Sequence, residues 1–191
     1  MEELKKINEE VLLKTPVFDV VKKTFENTDF KPVGLNCHDW VSIVAVDNID
    51  NPVCVFVEQT RWGKEKKTIE FPCGTVEDGE DPTDAAIREF LEETGIKIEK
   101  SYCPHFGPLT YCGAFNPNPA YFNNLMHVYF YQDHNLIKSF LERGSQHLDK
   151  DEDCRVFIDR LYNVDYEVKK GGMGRAILDT VRDVINLNWG K

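Results

Sequence analysis

The chain has 191 residues, 41% of them apolar, and a formal net charge of −10. That is enough for one domain with a substantial core. The acidic balance speaks against a nucleic-acid backbone as a general partner, and no apolar run approaches the ~20 residues of a membrane helix.

Leu4, Ile7, Val11 and Leu12 fall at helical spacing and predict a short amphipathic helix over residues 2–14, ended by Pro16. Residues 16–34 read as extended segments around the turn Glu26-Asn27-Thr28-Asp29. Trp40–Asp47 and Pro52–Gln59 read as strands joined by Asn48-Ile49-Asp50-Asn51, and Lys67–Phe71 as a strand leading into a glycine loop. Tyr111–Ala114 and Leu125–Gln132 are further strands, Leu136–Arg143 a short helix and Arg155–Leu161 extended. Arg175–Asn186 is an amphipathic helix with Ile177, Leu178, Val181, Val184 and Ile185 inward. Gly171-Gly172-Met173-Gly174-Arg175 lacks the lysine and the strand–loop–helix context of a phosphate loop and reads as a flexible entry to that helix. The pattern predicts an α/β or α+β domain over 35–191, preceded by an N-terminal helix and extended segments over 1–34.

The N-terminal MEELKKINEE is charged and lacks the apolar region of a signal peptide, so a cytoplasmic protein is expected. Its six cysteines (37, 54, 73, 103, 112 and 154) are scattered without CxxC pairs, which points to reduced core residues rather than a zinc site.

The most informative stretch is GTVEDGEDPTDAAIREFLEETGI, from Gly74 to Ile96. Asp81 is a good N-cap, Pro82 suits the first helical position, Asp84 lies near the positive end of the dipole and Gly95 is a C-terminal stop. On the resulting helix Ile87, Phe90, Leu91 and Thr94 share one face, to be buried. Glu89, Glu92 and Glu93 share roughly the opposite one. Three carboxylates so close repel one another, and a bound divalent cation relieves that repulsion. A solvated acidic face explains an isolated EFLEE; the glycine loop, Glu80 and Arg88 in the same run favour the metal reading.

The run resembles the Nudix box, G-x5-E-x7-R-E-U-x-E-E-x-G-U with U apolar, at Gly74, Glu80, Arg88, Glu89, Phe90, Glu92, Glu93, Gly95 and Ile96. The resemblance implies a Nudix fold, a mixed sheet sandwiched between helices with a loop–helix–loop motif. It implies hydrolysis of a nucleoside diphosphate linked to another group, with Mg²⁺ as cofactor and Mn²⁺ able to substitute. It casts Glu89, Glu92 and Glu93 as metal ligands, joined by a backbone carbonyl of Cys73 or Gly74, with Glu93 in the catalytic set. Arg88 enters that set as a support, an ion pair with Glu80 that orients the helix.

The flanks resemble the ADP-ribose pyrophosphatases, through Val57-Glu58-Gln59-Thr60-Arg61 and Ile69-Glu70-Phe71-Pro72-Cys73-Gly74, with cysteine in place of the usual alanine. Gln59 and Arg61 leave a strand end on one face, where an arginine forks onto a phosphate. Glu70 either meets an adenine amino group or supports the loop. Thr15-Pro16-Val17-Phe18-Asp19-Val20 resembles the N-terminal strand of that subfamily, which implies a homodimer. Pro119 matches a substrate-loop proline by its place before a strand, although it lies further from the box than usual. Asn124 stands where a glutamate is expected. Glu152, in Asp149-Lys150-Asp151-Glu152-Asp153, is the choice for the general base.

The expected activity is cleavage of ADP-ribose or a related nucleoside diphosphate-sugar. Two alternatives stand beside it: a dinucleoside polyphosphate or modified nucleoside triphosphate as substrate, and a sensor that binds nucleotide without turnover.

Overall fold

The computed structural model describes residues 4–98, 109–148, 153–171 and 173–185. Among these residues ten strands and four helices follow one another as β1 (Lys6–Lys14), β2 (Phe18–Phe25), β3 (Val33–Cys37), β4 (Trp40–Val46), β5 (Val53–Arg61), β6 (Lys66–Glu70), β7 (Cys73–Thr75), α1 (Pro82–Thr94), β8 (Leu109–Phe115), β9 (Met126–Gln132), α2 (Leu136–Leu141), β10 (Cys154–Arg160), α3 (Leu161–Gly171) and α4 (Gly174–Ile185). A 3-10 turn, Trp62–Lys64, joins β5 to β6.

The first three strands form an antiparallel sheet in the order β1-β2-β3. The rest build a seven-stranded mixed sheet along β10-β5-β4-β9-β8, with β6 on β5 and β7 on β4. β4 and β9 run parallel from Trp40 beside Met126 to Val46 beside Gln132, and the other pairings are antiparallel.

The reason for the sandwich lies in the strand period of two. On β4, Val41, Ile43 and Ala45 join the core under α1, whereas Val44 and Val46 join the core under α3 and α4. On β5, Val55 and Val57 take the first side and Cys54 and Phe56 the second. Tyr129 and Tyr131 of β9 face α1, while Met126, Val128 and Phe130 face α4. With both faces covered, the central strands are runs of apolar residues rather than alternations. Each fully buried side chain of the size of Phe56 or Ile43 contributes roughly 1.5–3 kcal/mol.

Helix α1 is punctuated as its sequence requires. The Asp81 carboxylate accepts the Thr83 N–H at 2.8 Å, Pro82 opens the helix, and Gly95 closes it at φ 70° with its N–H on the Leu91 carbonyl. A side chain at Gly95 would run into the Gly144 carbonyl, so conformation and space both demand glycine there. The segment after α2 then caps the helix end: Gly144 N–H donates to Gly95 O at 3.1 Å and His147 N–H to Glu92 O at 2.8 Å.

Several expectations are corrected. The helix expected over residues 2–14 is strand β1 from Lys6 to Lys14, paired antiparallel with β2 from Lys6 opposite Phe25 to Lys14 opposite Asp19. Ladder hydrogen bonds to β2, from Lys14 opposite Asp19 to Lys6 opposite Phe25, override a helical spacing that has no core to face. Ile7, Val11 and Leu12 remain exposed, which is where a buried helix face would have failed. On α1, Leu91 is exposed and Glu93 is buried, the reverse of the expected assignment. On α4, Val184 is exposed while Ile177, Leu178 and Val181 are buried. Leu161–Gly171 is a helix that the sequence reading did not contain, and Gly174 is packed against the Val168 carbonyl at the α3–α4 junction rather than serving as a flexible entry. The four residues Cys37, Cys54, Cys73 and Cys112, with Cys154, are free thiols; Cys103 lies outside the described residues. Among the described residues no helix is long and apolar enough to cross a membrane.

Candidate active site

The site is built where the C-terminal half of α1 lies against the three-residue strand β7. Cys73 N–H donates to Glu93 Oε2 at 2.9 Å, and Thr75 N–H donates to Glu89 Oε1 at 3.0 Å. Two carboxylates four residues apart on one helix thus straddle Gly74. A Cβ built on Gly74 would overlap the Glu89 carboxyl carbon, so the glycine makes the cradle in which that carboxylate sits. Glu93 is 2% exposed. Burial raises the Glu89 carboxyl above its ordinary value, against the opposing hydrogen bond and charge of Arg88.

Arg88 holds the front of the helix to its loop. Its Nε and Nη2 fork onto Glu80 Oε1 and Oε2, both at 2.9 Å, and Nη2 also donates to the Thr75 carbonyl at 2.9 Å. Nη1 donates to Glu89 Oε1 at 2.9 Å and Glu92 Oε2 at 3.0 Å. One guanidinium therefore binds three box carboxylates and the β7 backbone, a use for which its planar five-donor geometry is suited and lysine's is not. The Arg88 hydrogen bonds hold the Glu80 carboxyl below the ordinary glutamate range. Glu80 Oε2 further accepts the Glu77 N–H at 2.9 Å, closing the loop on itself.

The wall comes from β5 and β6. Cys154, Gln59 and Thr68 are register neighbours across β10, β5 and β6, and the strand alternation puts Val57 and Arg61 on the same face as Gln59. Arg61 forks onto Glu70, Nε to Oε1 at 3.0 Å and Nη2 to Oε2 at 2.6 Å, and its Nη2 lies 3.6 Å from Cys73 Sγ. Thr68 adds a hydroxyl donor to Glu70 at 2.6 Å. Burial pushes the Glu70 carboxyl up, but Arg61 and Thr68 outweigh it and hold the group below its usual value. Of the two roles open to Glu70, support of the loop is the one its contacts display. Gln59 is 6% exposed, and its Nε2 has no partner among the described residues.

The structure brings Glu89, Glu93, Cys73 and Arg88 together and sets Arg61 and Glu70 beside Cys73. Glu92 is half-exposed and bound to Arg88 rather than to β7. Pro119 is exposed, in a loop docked on the N-terminal sheet: Leu35 N–H donates to Tyr121 O at 2.7 Å, Asn123 N–H donates to Leu35 O, and Asn123 Oδ1 accepts from Cys37 N–H. Phe122 meets Trp40 edge-on at 6.0 Å. Glu152 lies outside the described residues.

Two contributors had escaped the sequence reading. Thr68 had a signal, since it stands two residues before Glu70 in a strand and shares its face. Gln146 had none: its Nε2 donates to the Glu93 carbonyl at 2.5 Å and the Cys154 carbonyl at 3.2 Å, tying the helix end to β10 across 53 and 8 residues.

The donor chemistry fits a hard divalent cation. Glutamate oxygens and backbone carbonyls are oxygen ligands of the kind such ions take, and the buried Glu93 with its neighbour Glu89 needs a compensating positive charge when both are ionised. Among the described residues no group of three or more His, Cys, Asp or Glu is close enough to hold a metal by itself.

A capped helix presenting paired carboxylates over a glycine strand, locked by one arginine, forms a loop–helix–loop unit on a mixed sheet. Residues 37–155 match the model of the NUDIX domain, and the chain belongs to that family. Members of the family generally use a divalent metal ion. It is 35% identical over 89 residues to a methanol dehydrogenase activator of Bacillus methanolicus, covering 47% of this chain and 43% of that protein. It is 31% identical over 116 residues to an ADP-ribose pyrophosphatase of Bacillus subtilis (strain 168), covering 61% of this chain and 55% of that protein. The chain spans about half the length of the curated relatives it matches. A crystal structure of an ADP compounds hydrolase superposes with a TM-score of 0.66 over 97% of this chain and 96% of that one, at 19% identity, a likeness of fold.

Proposed function

We propose that the chain is a pyrophosphohydrolase that cleaves the diphosphate of ADP-ribose, or of a related nucleoside diphosphate-sugar, using Mg²⁺ for which Mn²⁺ can substitute. The observation that carries this reading is the pair of α1 carboxylates seated on the β7 backbone at either side of Gly74. Similarity to an ADP-ribose pyrophosphatase supports the substrate class.

Glu89 and Glu93 would hold the metal together with a carbonyl of Cys73 or Gly74, and Glu92 would reach it from the rim. Bound there, the ion supplies charge stabilisation of the diphosphate and a lower pKa for the attacking water. Arg88 keeps Glu89 and Glu92 aimed by gripping both, while Glu80 keeps Arg88 in place. Gln59 offers its buried amide N–H to a phosphate oxygen, which would satisfy the donor left without a partner. Arg61, oriented by Glu70, is the adjacent cation for the same diphosphate. The water oxygen bonds to one phosphorus, the bridging P–O bond breaks, and the water proton passes to a general base, assigned to Glu152 on its place in the chain. For ADP-ribose the products are AMP and ribose 5-phosphate.

A panel of ADP-ribose, other nucleoside diphosphate-sugars, dinucleoside polyphosphates and nucleoside triphosphates, with product identification, tests the reading. Turnover of the diphosphate-sugars is expected with Mg²⁺, abolished by EDTA and restored by Mg²⁺ or Mn²⁺. Exclusive turnover of triphosphates, or tight nucleotide binding without turnover, would overturn it.

The edge strand β1 leaves Ile7, Val11, Leu12 and Leu13 exposed on a three-stranded sheet. Unpaired edges bearing apolar side chains are usually covered, which supports a homodimer through this sheet. Sedimentation at twice the chain mass is expected, and a monomer at micromolar concentration would contradict it.

A further inference from the structure

A helix leaves its last carbonyls without donors of its own. At the end of α1 the segment after α2 supplies them. Gly144 and His147 give backbone N–H groups to Gly95 O and Glu92 O. Glu93 O is met by a side chain instead, the Gln146 amide, with Nε2 at 2.5 Å. The same nitrogen lies 3.2 Å from Cys154 O, on β10. Its two hydrogens are therefore directed at carbonyls of two separate elements.

Those elements are the two sides of the site. Glu93 seats its buried carboxylate on the Cys73 N–H, so the residue is held by β7 at its side chain and by Gln146 at its carbonyl. Cys154 stands opposite Gln59, and Arg61 continues the face of Gln59 along β5. One amide thus ties the backbone of a carboxylate-bearing helix turn to the strand beside the phosphate wall.

The residue type suits that place. An acid at 146 would turn lone pairs on two carbonyls. A lysine or arginine would donate to both, but its positive charge beside Glu93 would oppose a divalent cation. Glutamine is the longest uncharged side chain with two hydrogens on one nitrogen.

We propose that Gln146 is a positioning residue that sets where the Glu89–Glu93 pair stands relative to the Gln59–Arg61 wall, and so governs affinity for the divalent ion and for the diphosphate together. It rests on the diphosphate reading above and adds to it the contact that fixes the width of the site.

The first test needs no turnover. Mn²⁺ affinity of the protein alone, read from the EPR signal of the free ion, is compared in wild type, Gln146→Met and Leu148→Ala. Gln146→Met keeps the length of the side chain and removes both donors. Leu148→Ala, in the same segment, removes packing against the core without touching either carbonyl and is expected to lower stability. Loss of a group that orients a metal ligand costs 10–100-fold in affinity. Gln146 holds the main chain of Glu93 rather than its carboxylate, so about tenfold weakening is expected. Leu148→Ala should stay within twofold of wild type. Unchanged affinity in Gln146→Met, or equal weakening in both variants, overturns the positioning role. A wild type that binds no Mn²⁺ overturns the metal reading itself, and this inference with it.

Kinetics with ADP-ribose supply the second test. In Gln146→Met the Mg²⁺ concentration for half-maximal rate and KM should both rise about tenfold, with neither moved in Leu148→Ala. A rise in KM at an unaltered Mg²⁺ requirement counts against the proposal. If Gln146→Met does not fold, Gln146→His at pH 8 carries the test, since its neutral ring has one N–H where the amide has two. Weakening of Mn²⁺ binding by threefold or more supports the proposal, and wild-type affinity sinks it.

Discussion

Glu93→Gln is expected to lower turnover by about 10³-fold while the fold survives. The substitution keeps the shape of the side chain and an oxygen that can accept the Cys73 N–H, so the link between α1 and β7 is preserved. What it removes is the buried negative charge, 2% exposed, that a divalent ion would neutralise. An ion in such a site supplies several kcal/mol of charge stabilisation, and each 1.36 kcal/mol is a factor of ten in rate. The measurement is kcat at saturating Mg²⁺, alongside circular dichroism and a melting curve. A wild-type rate in a folded variant would refute the metal role of Glu93.

Gly74→Ala is expected to lower turnover about 10²-fold with little loss of stability. The new methyl group would occupy the space of the Glu89 carboxyl. That carboxyl is the far end of a rotatable side chain, so it can swing away while β7 keeps its pairing with β4 from Trp40 to Ser42. Disturbing what orients a metal ligand, the role proposed for Glu89, typically costs 10–100-fold in metal affinity or activity. The discriminating pair of readings is the Mg²⁺ concentration for half-maximal rate, expected to rise, and the melting temperature, expected to stay within a few degrees. A fall in stability without a rise in the Mg²⁺ requirement would mean that the glycine serves the strand and not the ligand.

Together the two variants separate charge from placement. Glu93→Gln keeps the side chain's shape while turning one carboxylate oxygen into NH2 and removing the charge, whereas Gly74→Ala leaves every charge and moves one carboxylate.

Much of this site is legible in the chain because its parts are local. Asp81, Pro82 and Gly95 mark the ends of α1, and fixed helix spacing brings Arg88 within reach of Glu89 and Glu92. The unbroken apolar runs of β4 and β5 likewise announce two buried faces. Where the reading failed, the missing information was nonlocal. The spacing of Ile7, Val11 and Leu12 suits a helix as well as a strand, and only the ladder to β2 chooses. Nothing near Leu91 or Glu93 says which of the two the sheet will cover. Arg61 reads as a cation for phosphate, but the fork it makes is to Glu70, nine residues away on the neighbouring strand.

The sequence by itself determined the chemistry that one helix and its loop can carry: paired carboxylates, a guanidinium clamp and a glycine turn, all within 23 residues and held by helix geometry. Only the tertiary structure decided what surrounds them. β7 lies under Glu89 and Glu93 because β4 offers it a pairing edge. Gln146 fixes the end of α1 through side-chain donors that no local pattern encodes. The 3.5 Å approach of His38 to Asp78 exists because the turn from β3 into β4 passes beside the box loop. The physical reason is common to all three: contacts between distant segments depend on which surfaces bury together, and that is settled by the packing of the whole sheet rather than by the spacing of neighbours in the chain.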